Sequence, residues 1–262
     1  MTHAQQGGTD PSDDDVQAIW EGVSTHAVDV AQMTPDLSVA AGEAVQLAVL
    51  QRLVGQGASR AGWKVGMTSG AGRDSLGAGV RPFGYLLGGR VLPSGDRLDA
   101  SQIRSVGLET ELCFRIGTTL RGPLVTASEA RAAVDGVAPA FEVNEERLDA
   151  SAVAGVKVAD NLRQWAIVVG EFGPVPGQDV LDGLVSTISR DGQEIQSRAA
   201  EGHIDDHFES LAALARELAA FDRALEPGDV VITGAFTRIG DLTPGRYVGT
   251  FSGVGEVSLD LA

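Results

Sequence analysis

Three glutamates in this chain have the spacing and surroundings of a divalent-metal site. In the segment 106–116, Glu109 and Glu111 share one face of a predicted β-strand, because alternate side chains of a strand point to opposite faces. Such a pair is common on solvated strands, but a third acid, Glu142, stands in a similar apolar segment, 138–143. Carboxylates that converge on a buried point repel one another unless a cation neutralises them. The three acids therefore predict a site for Mg²⁺ or Mn²⁺, which take hard oxygen ligands.

A lysine is the second candidate for chemistry. Lys64 lies between Trp63 and Val65 in the apolar segment 61–69. An ammonium group is costly to bury alone and useful when it faces an anion. The alternative is a lysine whose stem crosses apolar surface and whose charge reaches solvent.

Charge and composition exclude several classes of function. The chain has 20 basic and 36 acidic residues, a formal charge of −16, and no basic run on which phosphates could bind. Nucleic acid and anionic membranes are therefore poor partners. The single cysteine, Cys113, excludes an intrachain disulfide and a cysteine-based zinc cluster. Without a membrane-length apolar segment or a signal peptide, a cytoplasmic protein is expected.

The order of predicted elements indicates the fold that must position these residues. Residues 1–11 are predicted to form a disordered tail, 12–60 an N-terminal helical cap, and 61–262 the catalytic domain. After residue 60 strands dominate, and they do not alternate regularly with helices. This order favours an α+β fold with a mixed sheet or β-roll over a doubly wound sheet.

Local signals locate individual elements of the larger part. Thr126 and Glu129 form a capping-box pattern that predicts a helix to about Val134. Asp191-Gly192 predicts the turn of a β-hairpin, and an Asp at 205 or 206 is expected to begin a helix that ends near Phe221. The acids of 144–147 are predicted to be solvated rather than metal-ligating.

Several motifs follow one another in an order and spacing known from one family. They are Ala44-Val45-Gln46, Gly62-Trp63-Lys64-Val65-Gly66-Met67-Thr68-Ser69, Glu109-Thr110-Glu111, Leu120-Arg121-Gly122-Pro123, Pro139-Ala140-Phe141-Glu142-Val143, Val158-Ala159-Asp160-Asn161 and the segment from Gly228 to Leu261. Together they resemble the 2-keto-4-pentenoate hydratase and 2-oxo-3-hexenedioate decarboxylase group of the fumarylacetoacetate hydrolase superfamily. The resemblance extends from about residue 15 to the end of the chain.

The resemblance implies a role for each of the candidate residues. Glu109, Glu111 and Glu142 match the family's Mg²⁺ or Mn²⁺ ligands, Lys64 matches its active-site lysine, and Gly234 lies in a loop that lines the substrate carboxylate. It further implies a mixed β-roll with an N-terminal helical part that covers the site, and a homo-oligomer.

The implied chemistry proceeds through an enolate. A 2-oxo acid can chelate the cation through its carboxylate and its 2-oxo oxygen, and the cation then acts as a Lewis acid. Lys64 would stabilise the developing enolate or transfer a proton to or from it. Such an enolate supports ketonisation of a dienol, hydration of a conjugated enone or decarboxylation of a vinylogous acid, so the metal and lysine leave the reaction open.

The chain departs from the family pattern at positions that would contact the far end of the substrate. An acid is common before Phe83-Gly84, where this chain has Arg81-Pro82, and an Asp is common ahead of Val158, where it has Lys157. A Ser is usual near Arg163. Arg81, Lys157 and Arg163 are therefore candidates for binding a second anionic group of the substrate, unless they lie on a solvated surface.

The resemblance implies a Mg²⁺-dependent lyase for a small 2-oxo or 2-hydroxydienoic acid. A hydratase is the first hypothesis, and a 2-oxo-3-hexenedioate-type decarboxylase is the alternative. A fumarylacetoacetate hydrolase-like hydrolase or tautomerase would need a base near the metal, for which His26 is the candidate. A non-catalytic family member that serves as a binding subunit is a further alternative, against which the intact acids and Lys64 count.

Overall fold

The structure, a computed structural model, describes residues 11–262, so the predicted tail over 1–11 lies outside the described residues except for Pro11. The helices are α1 (Asp13–Thr25), α2 (Val39–Gly55), α3 (Ala127–Ala133), α4 (Ala154–Ala159), α5 (Gln178–Asp182) and α6 (His207–Ala219). The strands are β1 (Arg60–Val65), β2 (Phe83–Leu87), β3 (Val91–Pro93), β4 (Asp96–Leu98), β5 (Gly107–Ile116), β6 (Val134–Asn144), β7 (Gln164–Val169), β8 (Val185–Arg190), β9 (Gln193–Ala199), β10 (Val230–Ile232), β11 (Thr237–Ile239), β12 (Gly245–Phe251) and β13 (Gly255–Leu261). Over residues 11–262, no helix combines the length and hydropathy that a membrane span requires.

The N-terminal helices pack on the segment that leads into the site. Helix α2 follows Ser38, whose hydroxyl accepts a hydrogen bond from the Ala41 amide at 3.2 Å, a standard N-cap. The apolar sides of α1 and α2 share one buried cluster with Leu148, Val156 and other residues of 148–159. The helical part therefore stabilises α4 and the turn that follows it, which forms part of the site described below. The division into a cap over 12–60 and a domain over 61–262 stays a prediction.

Two mixed sheets contain the thirteen strands. The larger sheet has the order β2-β1-β10-β5-β6-β7-β3, with β11 also paired to β5, and the smaller has the order β4-β13-β12-β8-β9. Each contains both parallel and antiparallel pairs, for example β1 with β10 and β13 with β4 as the parallel ones. The α+β class with N-terminal helices is confirmed, and both sheets are open.

The main core lies on one face of the central strand β5. Leu108, Leu112 and Phe114 are fully buried there within the largest apolar cluster. Thr110 on the same face accepts a hydrogen bond from Ser186 of the smaller sheet at 2.9 Å. The smaller sheet thus covers this face, and the predicted separation of an apolar face from a glutamate-bearing face is confirmed.

Most local predictions agree with the structure. Thr126 and Glu129 form a reciprocal capping box at α3, the Asp191-Gly192 turn joins β8 to β9 with both φ angles positive, and Asp206 caps α6. The prediction that the acids of 144–147 are solvated is wrong for Glu145, which is buried, whereas Glu146 is partly exposed. Glu145 and its buried neighbours Asn144 and Arg147 have partners from distant segments that satisfy their polar groups, as described below.

One buried acid on α2 makes the stability of the fold depend on pH. Burial, and to a smaller extent the negative charge of Glu217, raises the pKa of Glu43 from 4.5 to about 8. The unfolded chain ionises near 4.5, so the free energy of unfolding should fall as pH rises from about 4.5 to about 8. We expect Glu43→Gln to remove that fall, on the order of a few kcal/mol. Urea denaturation of both proteins at pH 5 and pH 8 measures it, and an unchanged pH dependence in the variant would refute it.

Candidate active site

The register between two strands brings the three glutamates together. In the antiparallel pair β5–β6, Glu109 stands directly opposite Glu142, and Glu111 is two residues farther along the same face. Their side chains are only 5%, 3% and 1% exposed for Glu109, Glu111 and Glu142. One carboxylate oxygen of each residue lies within 4.8 Å of those of the others. The predicted convergence of these acids is present in the structure.

The charges of this triad oppose one another. Burial raises the pKa of Glu111 well above its usual range, and the negative charges of Glu142 and Glu109 raise it further. Burial also raises the pKa of Glu142, although the Lys64 ammonium opposes the rise. A divalent cation would relieve both the repulsion and the desolvation, and three carboxylates are donors that Mg²⁺ accepts. The residues present therefore fit a hard divalent cation.

Lys64 lies on the same face of the sheet as the triad. In the register across β1, β10 and β5, Lys64 is level with Ile232 and Cys113. Its ammonium contacts the Glu142 carboxylate and donates to the Leu162 carbonyl at 3.3 Å, and the residue is 6% exposed. Of the two interpretations of this lysine, the structure supports the one in which its ammonium group faces an anion.

A glycine on the neighbouring strand makes room for the stem of this lysine. A Cβ atom placed on Gly84 would lie 2.7 Å from Lys64 Cγ and 2.9 Å from Asn161 Oδ1. Both distances are shorter than ordinary van der Waals contact, so only glycine fits beside this lysine without displacing it.

Gly234 lies where the hydrogen-bond ladder beside β5 is interrupted. Strand β10 ends at Ile232, opposite Cys113, and β11 begins at Thr237, opposite Thr110. Residues 233–236 therefore loop out opposite Glu111 and Leu112. This loop directs the Gly234 amide to Glu111, whose carboxylate accepts its hydrogen bond at 2.7 Å. The φ of Gly234 is +139°, a conformation that side chains disfavour.

A left-handed turn after α4 presents a backbone carbonyl to Lys64. Asn161, Leu162 and Arg163 have φ angles of 57°, 52° and 67° in succession, which is costly for residues other than glycine. The Asn161 side chain stabilises this turn, because it accepts from the Tyr85 amide at 2.8 Å and donates to the Tyr85 carbonyl at 3.1 Å. Asparagine tolerates this conformation, but nothing in the sequence indicated it for leucine or arginine.

A buried network of charges supports the turn from behind. Arg147 pairs with Asp160 at 2.9 Å and with Glu145 at 3.4 Å. Burial raises the pKa of Asp160 to about 7, although the Arg147 charge opposes the rise. Glu145 also contacts His26 at 2.5 Å. His26 does not line the cavity described below, so it is not placed as a base beside the triad.

The triad and Lys64 open into a cavity of about 430 Å³. Polar residues of its lining are Lys64, Thr68, Ser69, Ser75, Glu109, Glu111, Glu142, Asn144, Glu146, Lys157, Arg163 and Arg238. Arg81 is not among the lining residues, and it pairs with Asp74 and Asp205 at 2.7 Å each.

Two residues that the sequence did not single out contact Glu109 in this cavity. The exposed guanidinium of Arg238 pairs with Glu109 at 2.6 Å, and the Asn144 amide donates to Glu109 at 2.9 Å. Asn144 follows Glu142 by two residues on the same strand, so both side chains lie on one face of the sheet. This spacing was the signal in the sequence that could have identified Asn144. No comparable signal marked Arg238, which reaches the site from β11.

Comparison with known proteins places this geometry in a family context. The family model described as fumarylacetoacetate (FAA) hydrolase C-terminal matches residues 80–255. A 4-oxalocrotonate decarboxylase from a Pseudomonas species is 31% identical over 220 residues, which cover 83% of this chain and 85% of that protein. The 2-keto-4-pentenoate hydratase of Paraburkholderia xenovorans is 27% identical, with 85% and 84% covered.

The solved structures include a protein of the same fold along almost its whole length. It is the 4-oxalocrotonate decarboxylase from Pseudomonas putida G7, complexed with magnesium and adipate. The TM-score is 0.86, the sequence identity is 22%, and the match covers 96% of this chain and 98% of that chain. At this identity the similarity concerns the fold.

Proposed function

Because the chain belongs to the fumarylacetoacetate hydrolase C-terminal family, we propose that it is a Mg²⁺-dependent lyase acting on a small 2-oxo or 2-hydroxydienoic acid. The observation that carries the proposal is the convergence of Glu109, Glu111 and Glu142 with Lys64 in one cavity. Hydration is the first reaction, supported by relatives named as hydratases. Decarboxylation is the second, supported by the 31% identical relative.

Each residue of the site has a role in this proposal. The three glutamates would hold Mg²⁺, or Mn²⁺ in its place, and the Gly234 amide orients the Glu111 carboxylate. The cation, when bound, supplies a Lewis acid for a chelating 2-oxo acid. Lys64 Nζ would stabilise the negative charge that develops on the 2-oxygen of the substrate. Its contact with the Leu162 carbonyl fixes the direction of the ammonium group.

Burial of the site serves the same chemistry. Lys64 and the triad are all less than 7% exposed, and interactions between charges are stronger where water is excluded. Ketonisation of a 2-hydroxydienoate removes the proton of its 2-hydroxyl group and places a proton on C5, and water then adds to C4 of the resulting conjugated enone. Both steps pass through a species with negative charge on the 2-oxygen, the atom that Lys64 would face.

Other residues of the predicted site bear on substrate binding and on the alternative reactions. Arg163 and Gly234 line the cavity and are proposed to contact the substrate, whereas the ion pairs of Arg81 outside the lining argue against such a role for it. The pairing of His26 with Glu145 argues against the hydrolase or tautomerase alternative.

We further propose a cytoplasmic homo-oligomer. The charge of −16 supports the proposal that it has no nucleic-acid or membrane partner.

An assay of purified protein with Mg²⁺ tests the reaction class. The substrates are 2-hydroxypenta-2,4-dienoate, 2-oxo-hept-4-ene-1,7-dioate and 2-oxo-3-hexenedioate, each with and without a chelator, followed by absorbance and mass spectrometry. Chelator-sensitive gain of water on either of the first two supports a hydratase. Loss of CO₂ from the third supports the decarboxylase instead. Absence of both reactions in protein that holds Mg²⁺ would contradict the lyase proposal.

A further inference from the structure

One of the positively charged side chains that line the cavity differs from the others in its partners. Lys64, Arg163 and Arg238 each pair with a glutamate. Within residues 11–262, Lys157 is the cavity-lining cation that has no carboxylate at ion-pair distance, and its ammonium donates only to the Ala150 carbonyl at 3.1 Å. The cavity therefore presents one positive charge that the described residues leave uncompensated.

The lysines of this chain are concentrated in this cavity. Of its 20 basic residues only Lys64 and Lys157 are lysines, and the other 18 are arginines. Both lysines line the same cavity. A lysine ammonium is a compact charge on a flexible stem, which adapts to a single anionic group, whereas arginine suits fixed two-point pairing.

The position of Lys157 is fixed by its helix and lies nearer to solvent than the triad. Helix α4 contacts the backbone ahead of α2 so closely at Gly155 that a Cβ atom there would overlap the carbonyls of Leu37 and Ser38. Lys157 is partly exposed, while the triad is nearly inaccessible. The cavity thus extends from the buried glutamates, which fit a metal cation, to the Lys157 ammonium group near its mouth.

We propose that Lys157 binds a carboxylate at the end of the substrate remote from its 2-oxo group, so that the substrate is a dicarboxylic 2-oxo acid. This inference rests on the proposed function, which places the 2-oxo acid end at the triad. An anionic tail would complement the uncompensated ammonium and replace its single contact with Ala150. The Arg163 guanidinium is a poorer partner for the tail, because Glu146 already neutralises it at 2.7 Å.

A matched pair of unreactive ligands tests the inference. 2-Oxoadipate and 2-oxohexanoate have the same chain length and differ only in a terminal carboxylate or methyl group. Isothermal titration calorimetry of the full-length protein with Mg²⁺ should show about tenfold tighter binding of 2-oxoadipate. Lys157→Met should reduce this preference to within about twofold and leave the affinity for 2-oxohexanoate unchanged. Lys157→Arg should keep most of the preference.

The controls separate this inference from the proposed function. Arg97→Met also removes one positive charge, from an exposed position on β4 outside the cavity lining, and should leave the preference intact. Equal binding of both ligands by the wild type, or a preference that survives in Lys157→Met, would overturn the inference while the 2-oxo acid site stands. Binding of neither ligand in the presence of Mg²⁺ would instead contradict the proposed function.

Discussion

Replacing Glu111 with glutamine should lower the affinity for Mg²⁺ more than roughly 100-fold and abolish turnover. Replacing a residue that only supports a metal ligand lowers metal affinity or activity ten- to hundredfold, and replacing a direct ligand should lower them more. Glutamine has the size of glutamate, and its carbonyl oxygen can still accept the Gly234 amide, so the loss would be one of charge. The variant should fold, because burial and the neighbouring acids already penalise the Glu111 carboxylate.

Calorimetric titration of Mg²⁺ into both proteins measures this effect. Glu146→Gln is the matched control, since Glu146 lines the same cavity but pairs with Arg163 and lies outside the triad. We expect Glu146→Gln to bind Mg²⁺ as the wild type does. A Glu111→Gln variant with unchanged Mg²⁺ affinity would exclude the triad as the metal site.

Lys64→Met should separate metal binding from turnover. Methionine fills most of the space beside Gly84 but carries no charge. Loss of the ammonium removes the contact with Glu142, so Mg²⁺ should bind at least as tightly as in the wild type. Turnover should fall about 10³-fold, the scale expected when one group that stabilises transition-state charge is removed.

Steady-state kinetics at saturating Mg²⁺, with the melting temperature as a check on folding, tests this prediction. The expected result is a lower kcat in a protein that folds and holds Mg²⁺. A variant with near wild-type kcat would show that Lys64 is structural. Stabilisation of the enolate would then require another positively charged side chain.

Alternation along one strand was enough to predict that Glu109 and Glu111 share a face, because a strand has a period of two. That Glu142 stands opposite Glu109 depends on the register of β5 against β6, which strand pattern alone leaves open. The motif resemblance implied that Glu142 belongs to the metal triad, but not which residue it stands opposite. The helix caps and the Asp191-Gly192 turn were predictable because their determinants lie within a few residues.

Charged residues whose partners are distant in sequence were the hardest to interpret from the sequence. Glu145 was predicted to be solvated, but it meets His26, 119 residues away. For Arg81, a candidate for substrate binding, the sequence did not indicate the pairing of its guanidinium with Asp205, 124 residues away. Charge alone does not indicate whether a side chain faces water, a substrate or a buried partner. The left-handed turn at 161–163 escaped prediction for the same reason, since tertiary contacts of Asn161 stabilise it.

The measurement that tests the account most directly is the linkage between Mg²⁺ and an unreactive 2-oxo acid. Calorimetry would titrate 2-oxobutyrate into the protein with Mg²⁺ and with a chelator, and Mg²⁺ into the protein with and without saturating 2-oxobutyrate. If the triad holds a cation that the 2-oxo acid chelates, 2-oxobutyrate should bind only with Mg²⁺, and each ligand should raise the affinity of the other by the same factor. Equal binding of 2-oxobutyrate in the presence of the chelator would contradict the account.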